Sequence, residues 1–258
     1  MVAFLVHNFS AIQQVDRHPL ATTRNLNEET AMNLKLFRTT IAAVLTLLLS
    51  TVAMGENSLP EVSHDGLHLM KNTKLRAIYM KPGANLDEYD KVALLACYVA
   101  FQKNWQRNYN DESMDLMDRV TDEDMKNIRD NLAKEFNKVF TEVLTKGGHQ
   151  MVTEGGSGVL IIQPGIVNLE VTAPDTMSPG EATISANAGQ MTLYMQLHDG
   201  KTGDIIARVI DPEAVGGDFV EIRNSVTNMA DAERVLRRWA ISLNGHLEDV
   251  TAATRSKK

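Results

Sequence analysis

The hydrophobic pattern of the chain is densest between Lys91 and Arg107, which read KVALLACYVAFQKNWQR. Val92 to Phe101 is an unbroken apolar run, rich in β-branched and aromatic residues. Alternation places Val92, Leu94, Ala96 and Tyr98 on one face and Ala93, Leu95, Cys97, Val99 and Phe101 on the other. A strand apolar on both faces belongs in the middle of a sheet that is covered on both sides. The run is far shorter than the roughly 20 residues a spanning helix needs. Its exit, Gln102 to Arg107, turns abruptly polar, aromatic and cationic.

The period then changes from two to 3.6. Thr121 is a good N-cap, and Asp122, Glu123 and Asp124 follow in the first turn, where negative charge suits the helix dipole. Met125, Ile128, Leu132, Phe136, Val139, Phe140 and Val143 recur at steps of three and four, which predicts a helix over 121–146 with one apolar stripe. Gly147-Gly148 closes it, as a C′ glycine does. A second helix is predicted over 228–250, with Ala232, Val235, Leu236, Trp239, Leu243, Leu247 and Val250 on its inner stripe. Trp239 is read as a cap on the core, with a ligand platform as the competing reading.

Shorter strands fill the remainder. Leu75–Lys81 ends at the turn pair Pro82-Gly83, and Gln150–Thr153 follows the first helix. Val159–Thr172 is one long strand, or two joined by a kink at Pro164-Gly165. Because proline cannot donate to a ladder, an edge position or a bulge is expected there. Met191, Leu193, Met195 and Leu197 alternate with polar residues, which predicts a strand with one buried face. His198–Gly203 is a hairpin turn with Gly203 in the left-handed position, and Asp204–Ile210 returns antiparallel. Beyond a Gly216-Gly217 break, Phe219–Ile222 reads as a short strand. Glu56–Lys74 reads as a surface wrap and Asn108–Val120 as a polar loop. Ala173–Ala188 reads as a mobile loop and the natural place for recognition.

Composition adds an address. The chain has 258 residues, 43% of them hydrophobic and 23% charged, with a net charge of −7. A nucleic-acid role would need a local basic patch. The two small clusters, Arg234-Arg237-Arg238 and the terminal Arg255, Lys257 and Lys258, read as a solvated helix face and a chain end. No nucleic-acid partner is expected. From Met32 the text becomes MNLKLFRTTIAAVLTLLLSTVAMGEN, with cationic Lys35 and Arg38 before the apolar core Ile41–Leu49. Small residues follow, with cleavage after Ala53 or Gly55, so residues 32–55 read as a signal peptide. Residues 1–31 read as a misassigned start or a disordered leader. An uncleaved amphipathic anchor or an unusually long n-region is the competing account. The expectation is an exported, periplasmic protein with no transmembrane span in its mature part, residues 56–258. About 200 residues are enough to bury a core without staples. Cys97 is the only cysteine. No internal disulfide is possible, and its place in the apolar run favours a buried small hydrophobe. No cysteine ends the signal core, so no lipid anchor through cysteine is expected.

Candidate chemistry is thin. There is no nucleophile elbow, phosphate loop, HExxH zinc pattern or CxxC pair. Gly155-Gly156-Ser157-Gly158 has neither a following Lys-Ser/Thr nor a helix, and reads as a flexible connection. His64 and His68 have metal-compatible helical spacing. However, Asp65-Gly66 between them reads as a turn, and no third ligand is near. No metal, no cofactor and no catalytic residues are expected. Lys103, Trp105, Arg107 and Tyr109 sit past the end of the apolar strand, where clefts form. Their mix of cations and aromatics suits an acidic or sugar-like ligand, and Asp175 could join them from the loop. The competing account pairs Arg107 with a carboxylate, lays Trp105 over the sheet end and makes Asp175 a turn former after Pro174.

Several stretches carry a resemblance. Ile78–Ala84 (IYMKPGA), Val99–Arg107 (VAFQKNWQR), Ala173–Ser178 (APDTMS), Gln190–Tyr194 (QMTLY) and Arg237–Ala240 (RRWA) make residues 75–250 resemble a bacterial envelope family catalogued as domain of unknown function 3313. The resemblance implies an exported protein, often lipid-anchored, with no assigned activity, and it supplies no catalytic residues. The missing anchoring cysteine departs from that pattern. The order of elements also resembles small α+β domains of envelope assembly lipoproteins, a likeness of fold alone.

Taken together, the residues predict a single α+β domain in which two long helices pack on a mostly antiparallel sheet. The expected function is a non-catalytic periplasmic module that binds an envelope protein partner or another envelope component. The alternative is an envelope hydrolase or small-ligand binder using a pocket near Trp105, Arg107 and Asp175. A purely structural accessory subunit is a third possibility, and its discriminating sign would be an exposed apolar patch.

Overall fold

Two helices lie where the apolar stripes require them. The computed structural model describes residues 59–113, 118–174 and 183–255, with side chains to 247. The expected leader, the signal peptide and Asp175 lie outside the described residues. Residues Pro60–Lys258 form one compact unit. In chain order the elements are β1 (His68–Leu69), β2 (Ala77–Met80), β3 (Lys91–Leu94), β4 (Tyr98–Phe101), α1 (Trp105–Glu112) and α2 (Asp122–Lys146). They continue as β5 (Gln150–Met151), β6 (Val159–Val171), β7 (Thr183–Asp199), β8 (Ile205–Arg223) and α3 (Ser225–Arg255).

The eight strands make one sheet in the order β1-β2-β8-β7-β6-β3-β5, with β4 also paired to β6. It is a mixed sheet: β6–β7, β7–β8, β2–β8 and β1–β2 are antiparallel, while β3, β4 and β5 join through parallel pairs. The class is α+β and the sheet is mostly antiparallel, with a third helix that the pattern did not announce.

α2 begins at its expected cap. The Thr121 side chain takes the Asp124 N–H, and Asp124 takes the Thr121 N–H at 2.9 Å, a complete capping box. At the other end Gly148, at φ +86°, lets its own N–H reach Thr145 O and the His149 N–H reach Leu144 O. That pair of bonds is a Schellman motif and satisfies carbonyls that would otherwise be orphaned. α3 starts three residues earlier than expected, because the Asn224 side chain caps it by accepting from the N–H groups of Val226 and Thr227. Leu132, Phe136, Val139, Phe140 and Val143 of α2, and Ala232, Val235, Leu236, Trp239, Leu243 and Leu247 of α3, are buried as the stripes predict, and Leu144 and Ala240 join them. They cover the sheet face formed by Met191, Leu193, Met195 and Leu197. Trp239 lies within this core and donates its indole N–H to Asp211 at 2.8 Å.

The apolar run of residues 92–101 departs from expectation. It is not one central strand but two short ones, both laid along the same side of β6. The reason is Pro164. In a parallel ladder, after Leu95 donates to the Ile162 carbonyl at 2.9 Å, residue 164 should donate back to Leu95. Proline has no N–H to give. The chain therefore bulges over Leu95–Cys97, and Asn137 from α2 fills the place. Its side-chain oxygen accepts the Cys97 N–H at 3.2 Å, while its amide nitrogen lies 3.5 Å from Leu95 O. Leu95 and Tyr98 consequently face solvent. Cys97 is buried as expected, and burial pushes its thiol pKa up to about 12.

Further corrections follow from pairing that alternation alone does not show. β6 runs unbroken through Pro164, and its register shift comes later, between Val167 and Glu170, around Asn168 at φ +51°. β7 is buried on both faces in its middle, since Thr192 and Tyr194 are as hidden as their neighbours. The segment from Pro60 to Leu69 crosses the second face. There Asp65 forms a two-pronged ion pair with buried Arg208, whose guanidinium lies over the Tyr194 ring. Finally, Gly216-Gly217 does not break β8, and Thr183–Ala188 belongs to a strand rather than a loop.

Candidate functional site

The exit from β4 was the first place to expect a site. Asn104 takes a left-handed conformation at φ 64° and starts α1, so the stretch expected as loop from Asn108 is helical to Glu112. Trp105 is 8% exposed and stacks on Phe101 with ring centroids 4.6 Å apart; Tyr109 follows at 5.6 Å. A helix places Trp105 and Tyr109 on one face, and Phe101 at the end of β4 stacks on Trp105, so the three form a continuous aromatic file at the sheet end. Lys103 and Arg107 point to the exposed side. Gln106 and Asn110 tie α1 to the start of α2, each donating to the Val120 carbonyl at 3.1 and 2.9 Å. Trp105 and Tyr109 are thus brought together, while Lys103 and Arg107 flank them.

The cavity at this end of the sheet has other walls. Phe101 pairs with Leu169, and Leu169 opens a cleft of about 200 Å3 between the first turns of α2 and α3. Its floor is apolar, including Leu132, Val171, Ala188 and Met191, and Asn127, Asn131 and Asn228 supply amides on its wall. Pro174 lines it as well. Asn127 and Asn131 stand one turn apart beside the α2 stripe. That spacing is present in the sequence, but asparagines on a helix flank usually face only water.

The most exposed apolar surface lies elsewhere. Beyond the ends of β6 and β2, β7 and β8 continue as a two-stranded ribbon, Ile184 pairing with Ile222 and Ser185 with Glu221. Phe219 is 84% exposed, Ile184 67%, Val220 65% and Ile222 55%. Ile184, Val220 and Ile222 share one face by alternation, with Phe219 on the other. Val226, in the first turn of α3, adds to the exposed set. Two glycines permit close approach where the ribbon leaves the sheet: a side chain on Gly216 would run into the Ala186 carbonyl of β7, and one on Gly189 into the Glu170 carbonyl of β6. The ribbon is anchored at Arg223, which is wholly buried. It donates to the carbonyls of Ser185 and Ala186 at 2.7 and 2.8 Å and to Asp231 of α3 at 2.5 Å. Asp218 and Glu221 are exposed on the ribbon itself.

Among the described residues no group of three or more His, Cys, Asp or Glu side chains is placed to hold a metal. None of the described helices is long and apolar enough to cross a membrane.

Comparison with known proteins gives a family and little more. No curated protein matches the chain. Solved structures that it resembles include the PelC dodecamer from Paraburkholderia phytofirmans, at 9% identity over 64% of this chain and 95% of that one, TM-score 0.33. A protein described as a neuraminyllactose-binding hemagglutinin homolog from Helicobacter pylori aligns at 12% identity over 67% and 92%, TM-score 0.29. A lipoprotein candidate from Caulobacter crescentus aligns at 15% identity over 48% and 85%, TM-score 0.22. Likeness at this level carries nothing about activity. The family model covers most of the compact unit, from residue 63 to residue 243, and on that match the chain belongs to the family described as protein of unknown function DUF3313.

Proposed function

We propose that this chain is an exported, non-catalytic envelope protein that binds a protein partner along the outer part of the β7–β8 ribbon. The observation that carries the reading is the exposure of Ile184, Phe219, Val220 and Ile222 on two strands that have left the shelter of the sheet. Apolar side chains concentrated on an exposed strand pair favour recognition. The edge of β8 past Ile210 has no strand beside it among the described residues, and it begins at Pro212, a residue suited to an edge. Backbone groups along such an edge are matched by another strand, which favours protein over lipid. The exposed Asp218 carboxylate also disfavours an anionic membrane surface. Export rests on the signal-peptide reading of residues 32–55, and sequencing the mature N-terminus after expression from Met1 and from Met32 tests it.

The binding reading is tested by placing a photo-crosslinking residue at Phe219 and irradiating whole cells. One or a few discrete adducts are expected, and they are lost when Ile222→Lys is added. A lane without adducts above background overturns the reading.

A second reading keeps an acidic or sugar-like ligand at Lys103, Trp105, Arg107 and Tyr109, with Asp175. It is favoured by the exposure of both cations beside the aromatic file. Arg107→Ala then abolishes ligand binding without moving the melting temperature.

A further inference from the structure

The cleft between the first turns of α2 and α3 is separate from the ribbon's exposed apolar face. We infer that it binds a small, mostly apolar molecule carrying one hydroxyl or N–H donor. Three observations converge. The first is size: about 200 Å3 is somewhat more than the ~150 Å3 of a dry apolar cavity that accepts benzene, so one ring with a short substituent fits. The second is chemistry: Leu132, Leu169, Val171, Met191 and Val215 give walls that water leaves cheaply.

The third observation fixes the polar end. Asn228 donates its amide N–H to the Ala173 carbonyl at 2.8 Å, which settles which side-chain atom is nitrogen. The other atom, Oδ1, is buried with no hydrogen-bond partner among the described residues. A buried acceptor left unmatched costs free energy that a donor on a guest restores. Asn228 lines the same cleft as the apolar residues. The site therefore selects a molecule whose hydrocarbon body faces Leu132 and Met191 while its donor meets Asn228. An isosteric hydrocarbon would fill the volume and leave the oxygen unmet.

The test uses the full chain, with 4-ethylphenol and ethylbenzene as probes followed by calorimetry or by methyl shifts of Met191 and Met229. Saturable binding of 4-ethylphenol with Kd below about 1 mM is expected. Ethylbenzene should bind roughly three- to tenfold more weakly, the worth of one hydrogen bond. Ala188→Leu fills the cleft from β7 and should abolish binding of both probes; Ala232→Leu does the same from α3 and serves if the first variant does not fold. Asn228→Ala should bind both probes equally. Absence of saturable binding at about 10 mM probe overturns the inference, as do affinities that neither leucine variant changes. An equal affinity for the two probes in the unaltered chain overturns the assignment of Asn228.

Discussion

The same two strands live in two environments. In their inner halves, Met191–Asp199 and Ile205–Asp211, β7 and β8 are sandwiched between the helices and the Pro60–Leu69 segment, and nearly every side chain is hidden. In their outer halves, Ile184 and Phe219–Ile222 stand in solvent. Both halves are apolar and β-branched, so propensity does not separate them. What separates them is cover. The inner halves lie under α2 and α3. Along the outer halves α3 holds the strands chiefly at Arg223, through Asp231, and leaves Ile184 and Phe219–Ile222 exposed. The inner half is therefore a matter of stability, and the outer half is the part proposed above for recognition.

The largest break in this contrast should come at the joint between the halves. Asp231→Ala removes the buried carboxylate beside Arg223 and leaves it only the part-exposed Glu221 at 3.2 Å, which should cost about 3 kcal/mol in urea unfolding. The paired change Arg223→Met with Asp231→Leu should recover much of that. Leu193→Ala in the inner half should cost about 2–5 kcal/mol. Ile184→Ser and Phe219→Ser in the outer half should stay within about 0.5 kcal/mol of the parent. Equal losses in both halves would show that the ribbon is packed in solution and would remove the basis for recognition there.

A smaller effect depends on pH. Burial raises the Asp65 pKa, but its hydrogen bonds with Arg208 and Ser63 and the Arg208 charge outweigh this and lower it to about 2. With the folded pKa below the unfolded ~3.9, its contribution is present above pH 4 and lost as pH falls towards 2. The stability gap between the parent and Asp65→Asn should therefore narrow across that window. A gap independent of pH would mean that the carboxylate charge contributes nothing. Smallest of all, Arg107→Ala should shift stability by less than about 0.5 kcal/mol, since its side chain is exposed.

The helices were legible because each is long, capped and striped: Thr121 and the Gly147-Gly148 pair mark the limits of α2, and Trp239 sits on the stripe it was assigned to. The hairpin at Asp199–Gly203 was legible for the same local reason, with Gly203 at φ +77°. Long-range pairing was not legible. Nothing near Val92–Phe101 says that Pro164 withholds a donor from it, and nothing near Gly216 says that the strand continues. The buried charges were equally silent, since Arg208, Asp211, Arg223 and Asp231 look like surface residues until their partners arrive from elsewhere in the chain. At the candidate site, the grouping of Trp105 and Tyr109 with Lys103 and Arg107 was legible past the end of the apolar run. That the cavity would instead be walled by helix starts was not, because it depends on how α2 and α3 meet.

The Asn137 amide has a mechanical consequence. A side chain from a helix stands in for a strand's backbone, so α2 is keyed to the sheet like a tooth in a rack. Turning or sliding the helix by one residue would unseat that tooth. Ile128 and Leu132, further back on the same rod, would move with it. The width of the cleft is thereby geared to a contact at the kink between β3 and β4, and a change as slight as Asn137→Leu should be felt at a distance as an altered fit for whatever enters.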